Sequence, residues 1–292
     1  MLDGDGVVRE LDPADTSEVH QLCGGLGLTV PQLEKELGAA PDTRWVGLAH
    51  SSGKLCAVHR SLRWGPYLFL KGVYVSEEVR GSGAAVRLAF ALRDAARDEG
   101  LAGIAAWFDY GMPEHWIAQL LRIRPRQPSI YRVAIRLDSA DESAPVVAGA
   151  GPARFHGEIE VPRQPESDLP MAPVVDLFGG DAEDGGPVDG ARGKFHWMLD
   201  GSRIMVNASF GTDRHQLDAL IKAVGPVARA NGAGEVMIPT VAADIIGALQ
   251  LAGSRARRYN RMPTCIGVLR FEDLGKRGDR DGPAAFGLHH AG

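Results

Sequence analysis

The sequence has few cysteines: Cys23, Cys56 and Cys265 stand far apart in 292 residues. Their spacing matches neither a disulfide framework nor a cluster of metal ligands, so we expect no metal site. Long apolar runs are also missing, since none approaches the roughly 20 residues that a membrane-spanning helix needs. The acidic stretch Met1–Asp5 lacks the basic and apolar segments of a signal peptide. These absences predict a cytoplasmic protein with no membrane partner.

A large excess of basic charge is absent as well. The net charge is −5, from 32 Lys and Arg against 37 Asp and Glu. Residues 138–192 hold twelve acidic and three basic side chains, so the remainder is mildly basic. A nucleic-acid partner ordinarily requires a strongly basic face, which this composition does not supply. The arginine-rich stretch 255–261 keeps such a partner open as an alternative.

The chain is long enough for two domains, and its hydrophobic content of 45% is that of a globular protein. Strand and helix patterns alternate over residues 1–137, which predicts one α/β domain with a mixed sheet. Residues 138–192 are rich in Gly, Pro and acidic side chains and predict a connector. Residues 193–273 predict a second, smaller α/β module, and residues 274–292 a disordered tail.

The most informative motif is a glycine-rich turn between a strand and a helix. An apolar strand ends near Val75, Gly81 and Gly83 follow, and an Ala/Leu/Arg helix begins at once. The first turn of a helix has unpaired N–H groups and the positive end of the helix dipole, so it attracts anions. Arg80 adds a positive charge. The motif predicts a pyrophosphate site, although it contains neither Gly-Lys-Ser/Thr nor G-x-G-x-x-G.

This turn resembles motif A of the GNAT family of acyl-CoA-dependent N-acyltransferases, whose pattern is Gln/Arg-x-x-Gly-x-Gly/Ala. The pattern reads Glu78-x-x-Gly81-x-Gly83 in this chain, so Glu78 departs from the usual Gln or Arg. The order of predicted elements over residues 7–137 is also similar to that of the family. The resemblance implies a GNAT-like fold and an acyl-CoA donor, most simply acetyl-CoA. Residues 193–273 look like a degenerate second GNAT module, with an unrelated α+β cap domain as the alternative.

The same resemblance implies where the donor binds. It is expected between two diverging strands, Tyr67–Val75 and Ile104–Phe108. Backbone N–H groups in the first strand are expected to hold the pantetheine and the thioester oxygen: Val73, Tyr74 and Val75. Backbone N–H groups of the turn are expected to hold the pyrophosphate: Arg80, Gly81, Ser82, Gly83, Ala84 and Ala85.

The catalytic residues are less clear, because the family usually places a tyrosine on its last helix to protonate the leaving thiolate. The corresponding stretch 118–122 contains none. Tyr110 and His115 are the nearest replacements. Asp109 and Glu114 follow the strand end where the acceptor should approach, so they are candidate bases. Each of these four also has a plain structural explanation, and a chain of water molecules is another possible base.

The leading hypothesis is transfer of a short acyl group from acyl-CoA to a primary amine of an unidentified small molecule. One alternative is a catalytically idle module that binds CoA or a partner. A further alternative is modification of an amine on a nucleic acid or a protein. The sequence leaves the acceptor, the acyl chain length and the oligomeric state open.

Overall fold

The computed structural model describes residues 6–38, 42–109, 112–137, 156–161, 175–176, 193–206, 208–209, 214–241, 249–250, 253–259 and 264–276. Tyr110, most of the acidic connector and most of the tail lie outside these ranges. No helix among the described residues is long and apolar enough to cross a membrane.

The N-terminal half begins as its local sequence signals predict. The Asp12 side chain accepts a hydrogen bond from the Ala14 N–H and caps a short 3-10 helix with Pro13 in its first turn. The strands of this half are β1 (Val7–Glu10), β2 (Thr43–Ala49), β3 (Leu55–Trp64), β4 (Tyr67–Val75), β5 (Gly103–Phe108) and β6 (Arg124–Arg136). Its helices are α1 (Thr16–Cys23), α2 (Val30–Leu37), α3 (Ala84–Asp98) and α4 (Pro113–Leu120).

The second half begins with a short strand in the connector and ends with a five-residue helix. Its strands are β7 (His156–Val161), β8 (Val175–Asp176), β9 (Gly193–Asp200), β10 (Arg203–Val206), β11 (Ala208–Ser209), β12 (Glu235–Val241), β13 (Ala256–Arg258) and β14 (Thr264–Arg270). Its helices are α5 (Arg214–Ala230) and α6 (Glu272–Lys276). The sequence also predicts a helix over residues 242–251, most of which lies outside the described residues.

Twelve of these strands form one mixed sheet, and β8 and β11 pair separately. The order is β1-β2-β3-β4-β5-β14-β6-β12-β10-β9-β7, with β13 beside β6. Strands β4 and β5 are parallel, and so are β10 and β12, while the other pairs are antiparallel. Parallel neighbours need a crossover, which α3 supplies in the first half and α5 in the second.

The two halves exchange their last strands. Strand β14 of the second half pairs with β5, from Cys265 opposite Phe108 to Arg270 opposite Gly103. Strand β6 of the first half pairs instead with β12 over residues 130–136. Between them, β14 and β6 also pair with each other. The sheet therefore runs without interruption across the predicted boundary at residue 137.

Apolar clusters cover both faces of this sheet. Helix α3 buries Leu88 and Leu92 against one face of the first half, in a cluster that also contains Leu269 of β14. On the opposite face, Phe69 and Trp64 pack with methionines of the second half, Met198, Met205 and Met237. A separate cluster packs α5 against its own strands. The exchanged strand and the shared apolar face join the two halves.

A buried ion network joins the halves as well. The Arg60 guanidinium contacts Glu36 through Nε–Oε2 at 2.8 Å and Nη2–Oε1 at 2.6 Å. Its Nη1 lies 2.9 Å from Asp200 Oδ1, and Lys71 Nζ lies 2.7 Å from Asp200 Oδ2. Asp200 ends β9, so the second half supplies a carboxylate to two cations of the first half. These cations hold the pKa of Asp200 below its usual value despite the opposing effect of burial.

Candidate acyl-CoA site

The glycine-rich turn has the backbone conformation that its sequence predicts. Gly81 and Gly83 both have a φ of 80°, in the left-handed region that glycine adopts readily. A Cβ atom at either position would meet no other atom within 4 Å, so the turn faces open space. Gly83 is the N-cap of α3, and no side chain caps this helix among the described residues. The helix N-terminus is therefore open to an anion.

The charges beside the turn leave room for such a ligand. Arg80 and Glu77 lie 3.5 Å apart in an ion pair, with side chains that are 60% and 85% exposed. An ion pair this exposed adds only about 0 to 1 kcal/mol to the free energy of unfolding. Arg80 can therefore leave Glu77 and turn towards a bound phosphate with little loss of stability. Ser82 stabilises the turn because its hydroxyl donates to the Val79 carbonyl at 2.7 Å.

Strands β4 and β5 diverge next to this turn. Their parallel pairing runs from Tyr67 opposite Gly103 to Leu70 opposite Ala106, and stops there. Strand β4 continues to Val75, so its last five residues have no partner on this edge. A cavity of about 180 Å³ opens at the divergence. Its wall is formed by residues of β3, β4, β5, α4 and the turn that follows α4: His59, Leu70, Lys71, Gly72, Val73, Ala106, Trp107, Glu114, Ile117, Ala118, Leu121 and Ile123.

Two buried polar atoms next to the divergence make no hydrogen bond within the described part of the chain. One is the Ser76 hydroxyl oxygen, at the end of β4. The other is Nε1 of Trp107, on β5. A buried polar group without a partner costs about 1 to 3 kcal/mol, so each favours a bound molecule that supplies the partner.

His59 is the most perturbed titratable group of the cavity wall. Complete burial lowers its pKa to about 4, so the imidazole is neutral at neutral pH. Its Nδ1 lies 3.1 Å from the Arg60 carbonyl oxygen, which can only accept, so Nδ1 carries the proton. The Nε2 atom is then the ring atom that can accept a hydrogen bond.

The structure separates the candidate catalytic residues. Glu114 lines the cavity, whereas Asp109 is exposed at the end of β5 and is not part of the wall. His115 stacks on Phe108 with ring centroids 5.6 Å apart, and the Gln119 amide donates to its Nε2 at 3.2 Å. Tyr110 lies outside the described residues. The roles of all four remain predictions, with Glu114 the best placed among those described.

Sequence reasoning did not assign Lys71 or Trp107 to the site, and it left the orientation of His59 open. A β-bulge between Arg60 and Ser61 explains part of this difficulty. The bulge shifts the register opposite Lys71, so the alternation of side chains along β3 and β4 is interrupted there. The run from Leu68 to Lys71 contains no signal for that shift.

The arginine-rich stretch is largely engaged within the protein. The Arg257 guanidinium lies 3.0 Å from Glu235 Oε1 and also stacks on Tyr259, 5.8 Å from the ring centroid. Arg258 stacks on Tyr131 at 5.2 Å. Intramolecular contacts thus account for two of the arginines that keep a nucleic-acid partner open.

A comparison with protein families finds a match in this part of the chain. Residues 15–112 match the model of the acetyltransferase (GNAT) family. The matched residues include β4, the glycine turn, α3 and β5. The match does not extend to the second half, whose assignment as a degenerate GNAT module stays a prediction.

Several solved structures are similar. The GCN5-related N-acetyltransferase from Sphaerobacter thermophilus is 16% identical, covers 92% of this chain and 97% of its own, and has a TM-score of 0.47. The ribosomal-protein-S18-alanine N-acetyltransferase from Escherichia coli is 12% identical, over 43% of this chain and 81% of its own, with a TM-score of 0.37. Aminoglycoside N-acetyltransferase AAC(6')-Iy in complex with CoA is 18% identical, over 39% of this chain and 89% of its own, with a TM-score of 0.34. Comparison with curated proteins finds no match.

The residues present fit an acyl-CoA. The family match implies such a donor, and three local features of this chain agree with it. The uncapped helix with its two glycines suits a pyrophosphate, the unpaired edge of β4 suits an amide-bearing chain, and the buried Ser76 hydroxyl needs a polar partner. The family and the local geometry therefore point to the same class of ligand.

Proposed function

We propose that the protein is an acyl-CoA-dependent N-acyltransferase that acylates a primary amine of a small molecule, most simply with acetyl. The single observation that carries this proposal is the divergence of β4 and β5 beside an uncapped glycine turn. The divergence leaves backbone groups of Val73 and its neighbours open towards the cavity. The turn leaves the N-terminus of α3 open to two phosphates.

Different groups of the protein bind the donor, exclude water and accept the proton. When bound, the acyl-CoA would supply a thioester: the amine would form a C–N bond to its carbonyl carbon, the C–S bond would break, and CoA would leave as the thiolate and take up a proton. Backbone N–H groups at the end of β4 orient the donor, and those from Arg80 to Ala85 hold its pyrophosphate. Apolar side chains of α4, among them Ile117 and Ala118, keep water from the cavity. Glu114 removes a proton from the amine, because it is the carboxylate of the cavity wall.

The first experiment is calorimetric titration of the purified protein with acetyl-CoA, with Gly83→Glu and Gly53→Glu as a matched pair. Gly53 has a φ of 85° in an exposed hairpin turn, and a Cβ atom there also meets nothing within 4 Å. Both variants therefore carry the same strain and the same added charge. A charge at position 83 faces the pyrophosphate, so we expect affinity to fall about 10-fold or more, whereas Gly53→Glu keeps the affinity of the native protein.

Absence of acetyl-CoA binding in the folded native protein would contradict the proposal. An equal loss of acetyl-CoA affinity in both variants would mean that the substitutions act by destabilising the protein and not by repelling the pyrophosphate at the turn. Acetyl-CoA binding without thiol release for any amine would favour the catalytically idle alternative.

The assignment of Glu114 is tested by Glu114→Gln, with Asp109→Asn as its control. Glutamine keeps the size of the side chain but cannot take a proton. We expect a loss of about 100-fold or more in kcat at unchanged acetyl-CoA affinity, within the range typical of a general base. Asp109→Asn, which alters an exposed carboxylate outside the cavity wall, should change kcat little. The reverse result would transfer the role to Asp109.

A further inference from the structure

The proposed reaction requires two proton transfers from the amine. At neutral pH the amine is an ammonium ion, so it loses a first proton to Glu114 before it can attack. After the C–N bond forms, the nitrogen is positively charged and loses a second proton, while the sulfur gains one as the C–S bond breaks. The tyrosine that the resemblance implies for the sulfur is absent from residues 118–122. A single group beside the thioester could serve both of these later transfers.

His59 and the open end of β4 share one face of the sheet. His59 lies directly opposite Val46 of β2 and Val73 of β4. Side chains of directly opposite residues in antiparallel strands project from the same face, with Cβ atoms about 5 Å apart. Val46 belongs to the apolar cluster under α3, and so do Leu70 and Ala118 of the cavity wall. His59 therefore lies on the face covered by α3 and α4, beside the part of β4 that is proposed to orient the donor.

The described wall of the cavity has three ionisable side chains, which differ in depth and in their partners: His59, Lys71 and Glu114. Glu114 is exposed, so it lies at the mouth of the cavity. Lys71 Nζ lies 2.7 Å from Asp200 Oδ2, which compensates its charge. His59 is only 4% exposed, so it lies at the inner end. A ligand that passes Glu114 meets His59 as the innermost ionisable group of this wall.

His59 has one ring nitrogen left for a ligand. Its Nδ1–H donates to the Arg60 carbonyl at 3.1 Å, which fixes the tautomer and the orientation of the ring. Its Nε2 makes no hydrogen bond within the described part of the chain. Burial lowers the pKa of His59 to about 4, so a proton taken up at Nε2 is readily released to a thiolate, since an ordinary thiol has a pKa of about 8.5. Nε2 can thus accept a proton and pass it on.

We propose that His59 is a catalytic residue whose Nε2 carries the second proton from the amine nitrogen to the sulfur of CoA. The inference rests on the proposed acyltransferase function. The lone pair of the amine forms the C–N bond, and Nε2 then takes one N–H proton. The electron pair of the C–S bond leaves with the sulfur, which takes that proton from Nε2. Glu114 gives the first proton to solvent, so the products are the amide, the thiol and one released proton.

The first test is NMR of the ring nitrogens in the full-length protein with isotopically labelled histidine. The protein is saturated with CoA or with desulfo-CoA, which lacks only the sulfur. The S–H group of CoA can donate to Nε2, so we expect the Nε2 resonance of His59 to move with CoA and to stay near its free position with desulfo-CoA. His59 is identified by a titration midpoint near 4 and by the loss of its signals in His59→Asn. Equal movement with both ligands, or movement with neither, overturns the inference.

His59→Asn tests the catalytic role, because its amide N–H can still donate to the Arg60 carbonyl while the Nε2 lone pair is lost. With an amine that releases thiol from acetyl-CoA, we expect kcat to fall about 100-fold or more, within the range typical of general acid–base groups. Acetyl-CoA affinity in calorimetry should stay close to that of the native protein. His20→Asn, which alters an exposed histidine of α1, is the control and should leave kcat unchanged. A native kcat in His59→Asn overturns the inference.

The two proposals fail in distinguishable ways. Absence of CoA and acetyl-CoA binding to the folded protein contradicts the acyltransferase function and the inference with it. Binding of CoA with a His59 signal that does not depend on the sulfur contradicts only the inference. If no amine releases thiol, or if His59→Asn does not fold, the NMR comparison on the native protein still decides, because it needs only bound CoA and the titration midpoint of His59.

Discussion

Asp200→Asn removes a negative charge that Arg60 and Lys71 share across the two halves. The carboxylate accepts from Arg60 Nη1 at 2.9 Å and from Lys71 Nζ at 2.7 Å, and Asp200 is only 6% exposed. Loss of one partner from a buried ion pair costs about 3 to 5 kcal/mol, because the other charge stays buried without compensation. The side chain of Lys71 is 19% exposed and retains some hydration, so we expect Asp200→Asn to lower the free energy of unfolding by about 3 kcal/mol.

The measurement is urea unfolding, since urea does not screen charges as a guanidinium salt does. Asp94→Asn is the matched control. Asp94 pairs with Arg93 at 2.7 Å on the surface of α3, and its side chain is 43% exposed, so its loss should cost about 1 kcal/mol at most. Adding Lys71→Met to Asp200→Asn should recover part of the loss, because it removes one of the two uncompensated charges.

Acid provides a second test of the same pair. The folded-state pKa of Asp200 lies below its unfolded value of about 3.9, so the stability from its ionisation is present above about pH 4 and is lost as the pH falls further. The difference between the native protein and Asp200→Asn should therefore shrink on acidification below pH 4. A loss at neutral pH no larger than that of Asp94→Asn would refute the reasoning, since it would mean that water compensates both cations.

Three further predictions concern the exchanged strand and the cavity. Gly103→Ala should lower the free energy of unfolding by about 3 kcal/mol or more, because its Cβ would collide with the Leu269 carbonyl of β14. In the same urea assay, Gly234→Ala should change it little, because a Cβ atom there meets nothing within 4 Å. Deletion of residues 264–292 should abolish cooperative unfolding, since β5 and β6 both lose a partner; a native-like transition would contradict the strand exchange. The pKa of His59 is lowered to about 4, so its neutral form adds up to about 3 kcal/mol to the free energy of unfolding. This contribution is fully present above pH 6.5 and should be lost as the pH falls towards 4. An NMR titration midpoint near 6.5 would contradict the burial of His59.

The parts of the fold that sequence could predict are those fixed by neighbouring residues. The structure has β4 at the predicted residues 67–75, and α3 begins directly after the glycine turn, as the sequence predicts. The glycine turn between them was predictable because a positive φ is a local requirement that glycine meets. The Asp12-Pro13 pair predicts a helix start in the same local way, and the structure has the Asp12 cap there.

Contacts between residues that are far apart in the sequence could not be predicted from it. Asp200, followed by Gly201 and Ser202, is typical of a hairpin turn, and a turn does follow it. The burial of its carboxylate depends on Arg60, 140 positions earlier in the chain. The sequence predicts Trp107 only as a core residue of its strand, and the contact of its ring with Arg132 depends on the arrangement of three strands. No local pattern encodes either contact.

The strand exchange also depends on residues that are far apart in the sequence. Strands β6 and β14 each have the apolar character of a strand that can complete a sheet, so composition does not decide which sheet either one joins. In the structure β14 pairs with β5 of the first half, and β6 pairs with β12 of the second half. The glycine turn and the open edge of β4, which the proposed donor needs, lie within residues 15–112, which match the GNAT model. Strand β14 lies outside that segment and pairs with β5 beside the cavity, so the position of β5 depends on the second half.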